Sequence, residues 1–169
     1  MTTPEVDKRA EEYLARKNLE FDSCLGVGTQ GSVFVFIIPS QKTDRVDQVA
    51  VKIHNREVAY NREVSVFLRL RDLDITEVCG HRVPILIDYD DELLAIEMTI
   101  VSPPFCLDFG GAYLDRPPDY SPEVWEDWER QKSQDFEDNW PHVKKILAHF
   151  QTYGIHIADV NPGNIKFRR

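Results

Sequence analysis

The apolar positions of the chain change period several times, and each change predicts an element. Val6, Ala10, Tyr13 and Leu14 fall on one side of a helix. Thr2, with Glu5 three residues on and Pro4 in the first turn, marks its start, and it is expected to run to about Lys17. Three strand-like runs follow at residues 21–28, 32–38 and 49–54, with a polar loop at 41–48 before the third. Between residues 56 and 71 the helical period returns, with Val64, Phe67, Leu68 and Arg71 in phase. Residues 83–88 and 93–101 read as a second hairpin, turned by Tyr89-Asp90-Asp91-Glu92.

Pro103, Pro104, Gly110, Gly111, Pro117 and Pro118 then mark a long loop and the best boundary between two parts of the chain. Beyond it Ser121 caps a helix anchored by Val124, Trp125 and Trp128. A second helix, at about 141–153, carries Val143, Ile146, Leu147 and Phe150 on one face and stops at Gly154. Residues 155–167 read as a loop and a short strand. The pattern divides the chain into an accessory helix at 1–20, a strand-rich part at 21–102 and a mostly helical part at 103–169.

Composition narrows the function. The 169 residues are 42% hydrophobic, enough to bury a core without staples. Lys and Arg total 20 against 29 Asp and Glu, a net charge of -9 that repels nucleic acid phosphates and anionic lipid. Neither nucleic acid nor a membrane is therefore expected as a primary partner. Cys24, Cys79 and Cys106 lie far apart with no C-x-x-C pair, which fits a reducing cytoplasm better than a disulfide framework or a structural zinc. The charged start has no apolar h-region, and the longest apolar run, residues 33–38, is too short to cross a bilayer. A cytoplasmic location is expected.

Three segments carry candidate chemistry. Gly26-Val27-Gly28-Thr29-Gln30-Gly31 is a G-x-G-x-x-G between two strands. Alone it could be an ordinary hairpin turn, whose glycines supply positive φ. A dinucleotide fingerprint would open a helix, so strand–glycine turn–strand suggests instead a lid over phosphates. Lys52, in Val49-Ala50-Val51-Lys52, is either a solvated strand lysine or a fixed ammonium on nucleotide phosphates. A fixed ammonium needs a carboxylate, and Glu63 on the next helix is preferred to Glu57 because it adjoins the packed face. Asp159-Val160-Asn161-Pro162-Gly163-Asn164 is either an Asx-rich turn or a site in which Asp159 orients or deprotonates a hydroxyl and Asn164 holds a metal ion.

Together these segments resemble the protein-kinase-like superfamily over about residues 21–167. The resemblance implies an α+β fold: an antiparallel five-stranded N-lobe sheet with one main helix, and a short, mostly helical partial C-lobe. It implies ATP as ligand with Mg²⁺, and Gly26, Gly28, Gly31 and Lys52 on the phosphates. Backbone groups around Glu97 and Thr99 would meet the base, and Ile96 would lie near the gatekeeper position. It also implies Asp159, Lys52 and Glu63 as the catalytic group, with Asn164 and Asp159 on the metal.

The departures from the family pattern weigh on activity. Ile157 and Ala158 stand where the catalytic loop has His and Arg, and Asn161 stands where a lysine steadies the γ-phosphate. No D-F-G follows Asn164 before Arg169, so the large lobe reads as truncated. Asp108-Phe109-Gly110 precedes the loop and reads as a chance match. The rival reading is a rearranged metal site in which Asp108 turns toward the phosphates. Two functions follow. One is a minimal serine/threonine kinase transferring the ATP γ-phosphate. The other is a pseudokinase serving as a nucleotide-responsive or structural interaction module. Apolar surface left by the truncation would be covered by Trp125, Trp128 and Trp140 or by a second chain, so a homodimer or another protein partner is expected.

Overall fold

The computed structural model describes residues 2–39 and 47–168. The fold is α+β, and the chain divides into two compact units, Met1–Val64 with Ile85–Ile100 and Ser65–Pro84 with Val101–Arg169. In chain order the elements are α1 (Pro4–Lys17), β1 (Glu20–Val27), β2 (Gly31–Ile38), β3 (Asp47–His54) and α2 (Glu57–Asp72). Then come β4 (Glu77–Val78), β5 (His81–Arg82), β6 (Leu86–Asp90), β7 (Ala95–Met98), β8 (Phe105–Cys106) and β9 (Ala112–Leu114). The last are α3 (Pro122–Phe136), α4 (Trp140–Thr152), β10 (Ile155–Ile157) and β11 (Ile165–Lys166). Of the polar loop expected at 41–48, residues 41–46 lie outside the described residues, and Asp47 and Gln48 already belong to β3.

The first unit is an antiparallel sheet of five strands in the order β1-β2-β3-β7-β6. The sequence explains its layering. Alternation along β2 and β3 puts Phe34, Phe36, Val49, Val51 and Ile53 into one core with Val6, Ala10 and Tyr13 of α1. The N-terminal helix therefore packs into the core of this unit. Its cap is Thr3, whose hydroxyl accepts from the Val6 N–H, and not the expected Thr2. Pro4 at the first helical position fixes that register. Thr3→Ala is accordingly expected to cost about 1 kcal/mol in urea unfolding, and Thr2→Ala to leave the midpoint in place.

The second unit is built on α4. Trp140, Val143, Ile146, Leu147 and Phe150 are all buried, as the helical spacing predicts. Phe109 is fully buried, its ring 5.5 Å from that of Phe67 and 5.7 Å from that of Phe150. Two small sheets flank this core: β10-β9, and β11-β8-β5-β4. The long loop expected at the boundary thus contains β8 and β9, and β4 and β5 precede the second hairpin. That hairpin is shorter than expected, because Val83 lies outside β6. Strands of two or three residues hold no alternation to read, so only long-range pairing defines them.

On α3 the apolar anchors are displaced. Ser121 is the cap, accepting from Val124 N–H, but Val124 is exposed, Trp125 and Trp128 are half-buried, and Phe136 is the buried residue. The tryptophans are used in a chain of edge contacts, Trp125 to Trp128 to Trp140. The Trp128 indole N–H also donates to the Ala158 carbonyl at 2.7 Å. Among the described residues no helix is long and apolar enough to cross a membrane.

Candidate functional site

Lys52 and Glu63 lie in a cluster of polar side chains in the first unit, and Asp159 and Asn164 in or beside a second cluster in the second unit. The first lies on the face of β3 opposite α1. Lys52 and His54, two positions apart, point to the same side of the strand. Lys52 Nζ is 2.7 Å from Glu63 Oε2, with the two side chains 7% and 1% exposed. His54 Nε2 is 2.6 Å from that same oxygen, and the ring is fully buried. Lys52 is therefore not the solvated strand lysine of the plainer reading.

Glu63 is the electrostatic centre of this cluster. Burial alone would push its carboxyl up, but the Lys52 charge and the His54 hydrogen bond overcome that and hold it down at about 2, against an ordinary 4.5. A carboxyl whose folded value lies below its unfolded one stabilises the fold fully above about pH 4.5 and loses that contribution as the pH falls toward 2. Urea midpoints are expected to drop through this acid window, and Glu63→Gln to flatten the drop.

The glycine segment forms the turn between β1 and β2. Gly28 N–H donates to the Gly31 carbonyl at 2.8 Å. None of the three glycines has positive φ; among glycines that backbone is found at Gly80 and Gly154. Gly31 is required by packing, since a Cβ there would lie 2.2 Å from the Ile53 carbonyl oxygen. Gly26 would meet nothing within 4 Å and Gly28 only an ordinary contact, so neither is explained by local sterics. Glu97 sits mid-ladder in β7, opposite Val51 and Asp88, and its buried carboxylate accepts from the Tyr13 hydroxyl at 2.6 Å. Burial, then that carboxylate, pushes the Tyr13 phenol far up. The Thr99 N–H already donates to the Ile85 carbonyl at 3.0 Å, and its hydroxyl accepts from Ile85 N–H. A base meeting this edge would find those groups engaged.

The second cluster is built by the turn from Ile157 to Ile165. Asn161 Oδ1 accepts from Gly163 N–H at 2.8 Å, and Asn161 O accepts from Asn164 N–H at 3.0 Å. The Asx-turn reading is therefore correct as local structure. Its side chains also meet a distant segment. Pairing of β11 with β8, and Leu107 N–H donating to Asn164 O at 2.8 Å, bring residues 105–111 alongside. Asn164 Nδ2 donates to Asp108 Oδ2 at 3.3 Å. A Cβ on Gly111 would lie 2.5 Å from Asp159 Cβ, so that glycine is what admits Asp159. Asp108 itself has φ 64, a left-handed backbone that aspartate tolerates better than most residues.

The Asp108-Phe109-Gly110 segment lies beside the Asn164 turn, a neighbourhood that its place in the sequence does not announce. Phe109 anchors it in the core of this unit while Asp108 reaches the Asn164 amide. The tripeptide was visible in the sequence. The missing signal was the β8–β11 pairing, which brings Asp108 to Asn164 across 56 positions. Cys106 beside it is buried, and burial pushes its thiol up to about 12, which disfavours the thiolate.

Asp108 and Asn164 offer hard oxygen donors. Mg²⁺ in phosphoryl-transfer sites is held by one or two carboxylates together with phosphate oxygens, so this pair suits it. Among the described residues there is no group of three or more His, Cys, Asp or Glu placed to hold a metal. Compared with known proteins, the chain matches no family model and no curated relative.

Proposed function

We propose that this chain is an ATP-binding, kinase-like phosphotransferase: a minimal protein serine/threonine kinase that takes ATP with a divalent cation and transfers its γ-phosphate. The observation that carries this reading is the buried Lys52–Glu63 pair. A buried ion pair is a poor device for stability, because well-packed apolar side chains of the same volume do as well or better. A strand and a helix that keep an ammonium and a carboxylate at 7% and 1% exposure are best explained by a use for the ammonium, and phosphate oxygens are its natural ligand. Gly26 and Gly28, unexplained by sterics, suit a backbone that must approach phosphates closely.

Each residue then has a role. Lys52 holds the α- and β-phosphates, and Glu63 fixes Lys52. Asp108 and Asn164 would hold Mg²⁺, which when bound neutralises charge on the transferring phosphoryl group. Asp159, exposed at the turn, receives the proton of the acceptor hydroxyl. This division frees Asp159 from metal duty, which a site without Asp108 would have imposed on it.

One observation favours a second reading, ATP binding without transfer. Asn161 replaces the lysine that steadies the γ-phosphate in the family, and its side chain is spent on closing the turn. Incubation with γ-labelled ATP and Mg²⁺ separates the two. The kinase reading expects label on the chain or on an added protein substrate, abolished in Asp159→Asn. Metal-dependent ATP binding with no label transferred assigns the chain to the second reading.

A further inference from the structure

We propose that His54 is a positioning residue for the Lys52 anchor: its Nε2–H clamps the Glu63 carboxylate so that the Lys52 ammonium is held in one place. This rests on the reading of Lys52 as a phosphate ligand, but the clamp itself is a matter of geometry. Strand β3 places Lys52 and His54 two residues apart on one face, and both reach Glu63 Oε2, at 2.7 and 2.6 Å. An ionised carboxylate oxygen only accepts, so the proton between them belongs to His54 Nε2.

Other neighbours define the surroundings of the residue. His54 Nδ1 lies 3.1 Å from the Leu94 carbonyl. That carbonyl accepts the His54 backbone N–H, at 3.0 Å. The Tyr60 ring packs edge-on at 5.6 Å, with its own hydroxyl tied to Asp91 at 2.7 Å. From α1, Arg9 donates to the His54 carbonyl at 3.1 Å. The backbone of His54 is thus held by the turn before β7 and by α1, and its ring packs against Tyr60 of α2. A fully buried ring so held presents Nε2 to the Glu63 side chain. Without the clamp, the carboxylate still attracts Lys52 but can leave its rotamer, taking the ammonium with it.

Two amide substitutions divide the ring's contacts between them. In His54→Gln the side-chain N–H₂ falls near the position of Nε2 and can still donate to Glu63. In His54→Asn it falls near Nδ1 and cannot reach. The full-length chain is treated with a small N-hydroxysuccinimide ester, and acylation of Lys52 is followed by mass spectrometry, with circular dichroism confirming the fold of each variant. The expected result is slow acylation of Lys52 in the wild type and in His54→Gln, and acylation about tenfold faster in His54→Asn, the ratio that loss of one hydrogen bond to a buried charge gives. Mg·ATP affinity follows the same order, about tenfold weaker in His54→Asn and restored in His54→Gln.

Equal acylation rates in the two variants, whether both slow or both fast, would overturn the clamp and leave His54 as packing. If the wild-type chain binds no Mg·ATP, the nucleotide reading fails instead, and the acylation ratio still decides the role of His54.

Discussion

Replacing Lys52 by methionine is expected to cost about 3–5 kcal/mol of folding stability and to abolish ATP binding. The stability loss comes from Glu63, which at 1% exposure would be left as a carboxylate facing His54 without its ammonium partner. Urea unfolding gives the first number, and a nucleotide titration of the folded fraction gives the second. The double variant Lys52→Met with Glu63→Leu removes both charges and is expected to regain most of the lost stability, since apolar replacement of a whole buried pair is often neutral or better. It should not regain ATP binding. Recovery of stability without recovery of binding separates the two jobs of the pair. A lysine kept only for structure would show no such separation.

The second large effect is expected at Asp108. Asp108→Asn keeps the shape of the side chain and its neighbour Asn164 but removes the negative charge. If Asp108 holds the cation, the loss is on the order of several kcal/mol of transition-state stabilisation, a fall of about a thousandfold in γ-phosphate transfer. Metal dependence of ATP binding should weaken with it. Asp108→Asn is expected to leave the melting temperature close to that of the wild type, because the side chain is only half-buried and Phe109 carries the packing of this segment. A transfer rate unchanged by Asp108→Asn would return the metal to Asp159 and Asn164 alone.

What the sequence made legible, and what it hid, follows from the range of the forces. The β2 run of Val33, Phe34, Val35, Phe36 and Ile37, and the α4 face of Val143, Ile146, Leu147 and Phe150, are local patterns with one solution each, and both elements form within a residue or two of expectation. The helix start was misplaced by one residue because Thr2 and Thr3 are chemically equal caps, and Pro4 decides between them only through its position at the first turn. On α3 the tryptophans read as core anchors, but Phe136 takes the buried place and the half-buried indoles of Trp125 and Trp128 lead edge-on to the buried Trp140.

The site shows the same division. Lys52 and Glu63 could be paired on paper because a strand and the helix after it have few ways to meet. His54 lay beyond that reasoning. It is the last residue of β3, and nothing in VAVKIH says that its ring turns inward to the carboxylate already chosen for Lys52. Asp108 was hidden more deeply. Its partner Asn164 is 56 residues away, and the contact depends on β8 and β11, two-residue strands that no periodicity announces. The order of the motifs along the chain does not announce that contact; the strand pairing makes it.

Calorimetric titration of ATP into the full-length chain, with Mg²⁺ and then with Mg²⁺ withheld, bears on the proposal as a whole. Saturable binding of one ATP per chain in Mg²⁺, weakened at least tenfold without it and lost in Lys52→Met, is the predicted result. Absence of ATP binding by the folded wild-type chain in Mg²⁺, or binding that Lys52→Met leaves intact, would contradict it.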